Sequence, residues 1–165
     1  MTIEIVPFRD EHAPAFAQLN RAWLDSAGLY EAADGVHLYT PRESILDRGG
    51  NILIAVRDGT VVGTCALVPC PDGSVELAKL AVSPAARGEG LGRVLAKSVI
   101  DLARAGGADR IVLSSNSKLT AALALYESLG FQYASPPADL KYQTVDVFMV
   151  LDLAAGTAPF VQEAL

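Results

Sequence analysis

Ile3 and Ile5 alternate with polar neighbours and the run ends at Pro7, the period-two pattern of a short strand. Phe16, Leu19, Trp23 and Ala27 then recur at three- and four-residue spacing. This predicts a helix over residues 12–26 that stops at Gly28. Leu29 to Thr40 shows no clear period. Pro41 suits the first turn of a short helix reaching Asp47. The stretch NILIAVRDGTVVGTCALVP, residues 51–69, holds two β-branched runs around Asp58-Gly59 and predicts a tight hairpin. SVELAKLAV, residues 74–82, predicts a further strand. Simple alternation along it places Glu76 with Ala78, Leu80 and Val82, opposite Leu77, Lys79 and Ala81.

Leu91, Leu95, Val99 and Leu102 share one helical face, and Gly106-Gly107 ends that helix. RIVLSS, residues 110–115, reads as a buried strand, and residues 117–129 as a helix closed by Gly130. FQYA and TVDVFMVLDL read as a final strand pair. The order is β-α-α-β-β-β-α-β-α-β-β. Strands joined by hairpins pair antiparallel, and the later β-α-β crossover requires a parallel pair. The expected fold is a mixed α/β (α+β) sandwich: a mostly antiparallel central sheet with helices on both faces. Residues 1–153 read as a single domain and residues 154–165 as a C-terminal tail.

Composition narrows the function. The chain has 165 residues, 51% of them hydrophobic, enough for a core without staples. No apolar run reaches membrane-spanning length, and MTIEIVPFRDEH lacks the basic start and apolar stretch of a secretory leader. The expectation is a soluble cytoplasmic protein with no membrane partner. A net charge of −6 argues against a general nucleic-acid binder, which needs a basic face. Cys65 and Cys70, five residues apart in an extended segment, would sit about 16 Å apart, too far to bridge. With His12 and His37 well separated in sequence, no metal site is expected. Cys65 and Cys70 read as a core and a strand-end residue, and the histidines as surface or capping residues.

The densest local signal is SPAARGEGLGRVL, residues 83–95, where Gly88, Gly90 and Gly92 lie between a strand and a helix. This layout offers free backbone N–H groups and the positive end of a helix dipole to an anion. Arg87 and Arg93 could add charge. A Walker loop fails, because the glycines required before Lys97-Ser98 fall on Leu91 and Ala96. A dinucleotide fingerprint fits Gly88 and Gly90 but meets Arg93 at its third glycine. The pattern [Q/R]-x-x-G-x-[G/A] fits Arg87, Gly90 and Gly92 in full.

ELAKLAVSPAARGEGLGRVL and NSKLTAALALYESLGF, in this order and spacing, make the chain resemble the GCN5-related N-acetyltransferase superfamily, from about Ile3 to Leu153. The resemblance implies the acyl-CoA N-acyltransferase fold and acetyl-CoA as cosubstrate, without a metal. It implies that Arg87, Gly88, Glu89, Gly90, Leu91, Gly92 and Arg93 hold the pyrophosphate through backbone N–H groups. The strand over residues 77–82 would splay and bond the pantetheine arm, with Leu80, Ala81 and Val82 supplying the N–H that meets the developing oxyanion. Asn116 either caps the following helix or contacts the pantetheine arm.

Acetyl transfer to a neutral amine needs no covalent enzyme intermediate. It needs a base for the ammonium, a donor for the oxyanion and a route for the thiolate to leave. The resemblance places Tyr126 near the cofactor sulfur, although helical spacing alone would make it a core residue. Full proton transfer from a phenol to a thiolate is uphill by about 2 kcal/mol, so partial donation as the C–S bond breaks is favoured. Glu76 is the candidate base, against a solvent-facing strand-end residue. A carboxylate of ordinary pKa is a weak base for an ammonium, a mismatch that a water relay or an amine arriving neutral would ease. The resemblance implies that the acceptor enters between the first two helices and the far end of the sheet, where Trp23, Tyr30, Glu31, Asp34, His37 and Tyr39, with Tyr142 and Asp146, either suit a small-molecule cationic amine or are the ordinary surface chemistry of a loop. Homodimers are common in this family. An acyl-CoA sensor without catalysis is the alternative, and a generic nucleotide binder a poorer third.

Overall fold

The computed structural model describes residues 2–138 and 142–154. The expected tail, apart from Ala154, lies outside the described residues. Strand β1 (Ile3–Pro7) is followed by helices α1 (Ala13–Ala27), α2 (Ala32–Tyr39) and the short α3 (Pro41–Ser44). The hairpin β2 (Asn51–Arg57) and β3 (Thr60–Pro69) turns at Asp58-Gly59, both in the left-handed region, as its sequence requires. Then come β4 (Val75–Val82), α4 (Leu91–Ala105), β5 (Arg110–Ser115), α5 (Thr120–Ser128), β6 (Gln132–Ala134) and β7 (Val147–Asp152).

The seven strands form one sheet in the order β1-β2-β3-β4-β5-β7-β6. Every pairing is antiparallel except β4 with β5, the pair joined by the α4 crossover. This is the mixed, mostly antiparallel sheet that the order of elements predicts.

Alternation along the central strands, broken by a register shift between Ala55 and Val56 where β3 carries one extra residue, divides the core between the two faces. Val62 and Cys65 of β3 and Leu77 of β4 meet Leu91, Leu95 and Val99 of α4 on one face. On the other, Ile52 and Ile54 of β2 and Ala66 of β3 meet Phe16, Leu24 and Leu38. Helix α4 approaches the sheet over Gly63, where an added Cβ would lie 2.8 Å from Leu95 Cδ1. Both cysteines are free, with Cys65 buried and Cys70 half-buried.

Helix α2 falls where the sequence shows no apolar period, and the structure gives the reason. Its buried face is Asp34 and Leu38, so a carboxylate occupies one of the positions that would normally carry the pattern. Asp34 serves the helix start as well: its Oδ2 accepts from Glu31 N at 2.9 Å, and Asp34 N donates to Glu31 O. Helix α5 begins at Thr120 with Leu119 as its cap residue, three residues later than the sequence suggests.

Leu95 is fully buried where α4, Gly63 and the sheet converge. Leu95→Ala should lower the unfolding free energy by about 2–5 kcal/mol, measured by urea denaturation.

Candidate active site

Strands β4 and β5 share only two register pairs, Val75 with Ile111 and Glu76 with Val112. Beyond Glu76 the two strands separate. On its other edge β4 stays paired with β3, but not regularly: Thr64 faces Ala81 while Ala66 faces Ala78, so β4 carries one extra residue. Lys79 sits in this bulge at φ +55°, in the left-handed region that a lysine enters only when its surroundings hold it there.

The restraints are all visible. Thr64 Oγ1 donates to Lys79 O at 2.8 Å, and Asn20 Nδ2 donates to Thr64 Oγ1 at 3.0 Å and to Phe16 O at 2.9 Å. Trp23 Nε1 donates to Asn20 Oδ1 at 3.2 Å. Asn20 and Thr64 are fully buried, so this network is satisfied out of water. The Lys79 ammonium meets Asp34 Oδ1 of α2 at 2.5 Å, with side-chain exposures of only 9% and 5%. The Tyr142 ring lies 5.8 Å from the same ammonium. The bulge corrects the expectation from alternation: Lys79 lines the same cavity as Glu76 and does not point to the opposite face. In the sequence it shows only as one of two charges, with Glu76, in a strand whose other residues are apolar.

The separated strands open a cavity of about 200 Å³. Residues 76–80 form one wall, Ser114, Ser115 and Asn116 another, and Trp23, Asp34, His37 and Tyr142 close the α1–α2 side. Tyr126 of α5 reaches the same cavity. It is buried, its ring meets Phe131 edge-on at 5.8 Å, and among the described residues its hydroxyl has no hydrogen-bond partner. Burial, and then the nearby Cys65 thiol, push its pKa well above that of an ordinary tyrosine. It therefore remains a phenol, a proton donor, throughout the neutral range. A buried donor without an acceptor is costly and marks a place where a ligand atom belongs.

Not every expected acceptor residue faces this space. Glu31 instead accepts from Gln143 N at 3.0 Å, Thr144 N at 2.8 Å and the Thr144 hydroxyl. Asp146 accepts from Ser117 N and Oγ at 2.8 and 2.7 Å. These two carboxylates fasten residues 143–146 against α2 and the start of α5. Tyr39 is 57% exposed and its hydroxyl accepts from Arg21, whose guanidinium lies 3.6 Å over the Tyr30 ring. Tyr30, Glu31, Tyr39 and Asp146 therefore support the site from outside. Asn116 lines the cavity with both ends of its amide engaged: Nδ2 donates to Thr144 O at 2.5 Å and Oδ1 accepts from Lys118 N at 2.9 Å. It orders the turn before α5 without being the helix cap.

At the far end of β4 the chain passes through the glycine loop. Gly88 and Gly90 both have positive φ, and Gly90 caps α4 without a side chain. The first helical bond is Val94 N to Gly90 O, at 3.2 Å. The N–H groups of residues 88–93 donate to no described residue. Six adjacent donors at a helix N-terminus fit a pyrophosphate. The packing of the chain does not demand glycine at Gly92, where a Cβ would make only ordinary contact with Leu125 at 3.7 Å. Arg87 Nε donates to Val82 O at 3.3 Å and Arg93 to Ser128 Oγ at 2.7 Å. Arg57, at the end of β2, pairs with Glu89 at 2.9 Å and donates to Ala85 O. This brace offsets the one acidic side chain in the loop, and nothing in the sequence links residues so far apart. Among the described residues, no group of three or more His, Cys, Asp and Glu side chains could hold a metal, and no helix is long and apolar enough to cross a membrane.

Comparison with known proteins shows the family. A family model described as the acetyltransferase (GNAT) family matches residues 9–131. The chain belongs to the GNAT acetyltransferase family. It is 32% identical over 110 residues to N-acetyltransferase 8 of Rattus norvegicus, an alignment covering 63% of this chain and 50% of that protein. It is 33% identical over 114 residues to N-acetylaspartate synthetase of Homo sapiens, covering 68% of this chain and 36% of that one. The chain thus spans half or less of the length of these two relatives. A GNAT acetyltransferase structure from Staphylococcus aureus Mu50 superposes with a TM-score of 0.84 over 92% of this chain and 99% of its own, at 20% identity, a likeness of fold. A Salmonella typhimurium structure, determined with its cofactor acetyl-CoA, superposes at 0.72 with 26% identity over 93% and 95% of the two chains.

The bulge that shapes the GNAT cavity hangs on Thr64. Thr64→Val keeps the shape but leaves Lys79 O and Asn20 Nδ2 short of a partner. Urea denaturation should show a loss of about 1–3 kcal/mol.

Proposed function

We propose that the protein transfers an acetyl group from acetyl-CoA to a primary amine of a small-molecule or amino-acid-like substrate, by direct attack in a ternary complex. One observation carries this reading: among the described residues the N–H groups of residues 88–93 and the Tyr126 hydroxyl have no partner, the first in the loop that follows β4 and the second in the cavity lined by residues 76–80 of that strand. A cofactor with a pyrophosphate at one end and a thioester at the other supplies an acceptor for both. The names of the relatives, an N-acetyltransferase and an N-acetylaspartate synthetase, each describe acetylation at nitrogen.

In this reading the loop anchors the pyrophosphate, and the backbone of β4 beyond Glu76 receives the pantetheine arm in place of β5. Glu76, at the vertex where the strands part, takes the proton of the incoming ammonium, directly or through water. The amine nitrogen attacks the thioester carbonyl, and the developing oxyanion is met by backbone N–H in the stretch Leu80–Val82. As the C–S bond breaks, Tyr126 donates a hydrogen bond to the departing sulfur. Its raised pKa makes complete transfer to a thiolate less favourable still, so the role is a strong hydrogen bond within the transition state.

Release of free thiol from acetyl-CoA in the presence of an amine panel tests the activity. Tyr126→Phe should lower kcat by about 10²-fold or more while leaving acetyl-CoA affinity nearly unchanged. A wild-type kcat in this variant removes Tyr126 from the chemistry. Glu76→Gln should lower kcat/KM at neutral pH, and the deficit should shrink as pH rises toward the pKa of the amine. At high pH more amine arrives already neutral and needs no base. A deficit that is the same at every pH would show that Glu76 is not the base.

A further inference from the structure

The glycine loop has little of its own to hold its shape. Two bonds close the turn that leads into it, Ala86 N to Ser83 O at 2.9 Å and Arg87 N to Pro84 O at 3.4 Å. From Gly88 onward no backbone N–H donates to a described residue until Val94 reaches back to Gly90 O. Packing adds no restraint at the glycines: a Cβ placed on Gly88 or Gly90 would meet nothing within 4 Å. Both take positive φ, +81° and +79°, in a segment free to adopt many other shapes. A row of N–H groups binds an anion well only if the groups already converge, because ordering the loop on binding costs affinity.

Arg57 supplies the missing restraint from outside the loop. It stands at the end of β2, in register with Ile3 of β1 and Thr60 of β3, so its backbone is held on both edges. Its guanidinium uses both terminal nitrogens. Nη1 donates to the two Glu89 carboxylate oxygens at 2.9 and 3.2 Å, and Nη2 donates to Ala85 O at 3.3 Å. These grips fall on either side of Arg87 and Gly88, the residues where the chain turns. The Arg57 side chain is only 18% exposed, against 45% for Glu89, so the sheet holds the cation while the loop brings the carboxylate to it. The basic residues of the loop itself are disposed differently. Arg87 Nε donates to a backbone carbonyl and Arg93 to a serine hydroxyl, and neither pairs with a carboxylate among the described residues.

We propose that Arg57 is a positioning residue for the cofactor: by gripping Ala85 and Glu89 it holds the loop of residues 87–90 in the shape that receives the pyrophosphate of acetyl-CoA. The proposal rests on the acetyl-CoA reading and adds to it a residue of β2, remote in sequence from the loop. Glu89 has a purpose on this account. A carboxylate beside a pyrophosphate is unfavourable by charge alone, and it is tolerated here because it is the handle that Arg57 holds.

Calorimetric titration with acetyl-CoA tests this in comparisons that hold charge fixed. Arg57→Lys keeps the cation but replaces a planar two-nitrogen grip with one nitrogen, and Kd should rise about fivefold or more over the wild-type protein. Glu89→Gln and Glu89→Ala both remove the negative charge, but only glutamine keeps an oxygen for Arg57 to hold. The alanine variant should bind acetyl-CoA about threefold or more weakly than the glutamine variant. In the Arg57→Lys background that difference should close. Equal Kd for the glutamine and alanine variants overturns the proposal, and these exposed substitutions decide it even if Arg57→Lys fails to fold. A wild-type Kd in Arg57→Lys overturns it as well. A difference between glutamine and alanine that persists in the Arg57→Lys background shows that Glu89 acts without Arg57, and overturns the role of Arg57. Wild-type protein that does not bind acetyl-CoA overturns the acetyl-CoA reading itself.

Discussion

A β-strand that leaves its neighbour exposes backbone donors and acceptors, and these must find partners elsewhere. In this protein β4 leaves β5 after Glu76 while staying paired to β3 on its other side. The parting creates the cavity and supplies one polar backbone wall. It also places Glu76 at the vertex. On this account an extended, amide-bearing pantetheine arm fits because it can take the place of the missing strand. The parallel pair that the crossover requires is thus also the pair that opens.

The opening is held by contacts that run around the cavity without a break. Asn20 holds Thr64, and Thr64 holds the carbonyl of Lys79 in its left-handed bulge. The ammonium of Lys79 holds Asp34, and Asp34 is bonded to the backbone of Glu31. Glu31 holds Thr144, whose carbonyl accepts from Asn116 at the end of β5. The two arms of the gap are therefore linked through α1, α2 and residues 143–146. A disturbance on the acceptor side reaches the strand proposed to bind the thioester, because the same side chains secure both.

Much of this fold could be read from the sequence, because its strands, hairpin and amphipathic helices follow simple periods and end at glycines or prolines. The place of the loop over residues 87–93 was legible for a similar reason: closely spaced glycines between a strand and an amphipathic run mark a helix start. What escaped were contacts that break a period or join distant segments. Asp34 interrupts the apolar face of α2, so the helix looked patternless. The bulge at Lys79 inverted the side assigned by alternation. Arg57 reaches Glu89 across 32 positions of chain with no local trace. Glu31 and Asp146 looked like acceptor ligands because their charge was visible and their backbone partners were not.

On the proposed function, one cofactor satisfies both the bare helix start and the exposed edge of β4. Residue-resolved amide hydrogen exchange, with and without acetyl-CoA, tests it most directly. Acetyl-CoA should slow exchange at the amides of Gly88 through Arg93 and along Ala78 to Leu80. Binding of acetyl-CoA with both stretches exchanging as before would contradict it.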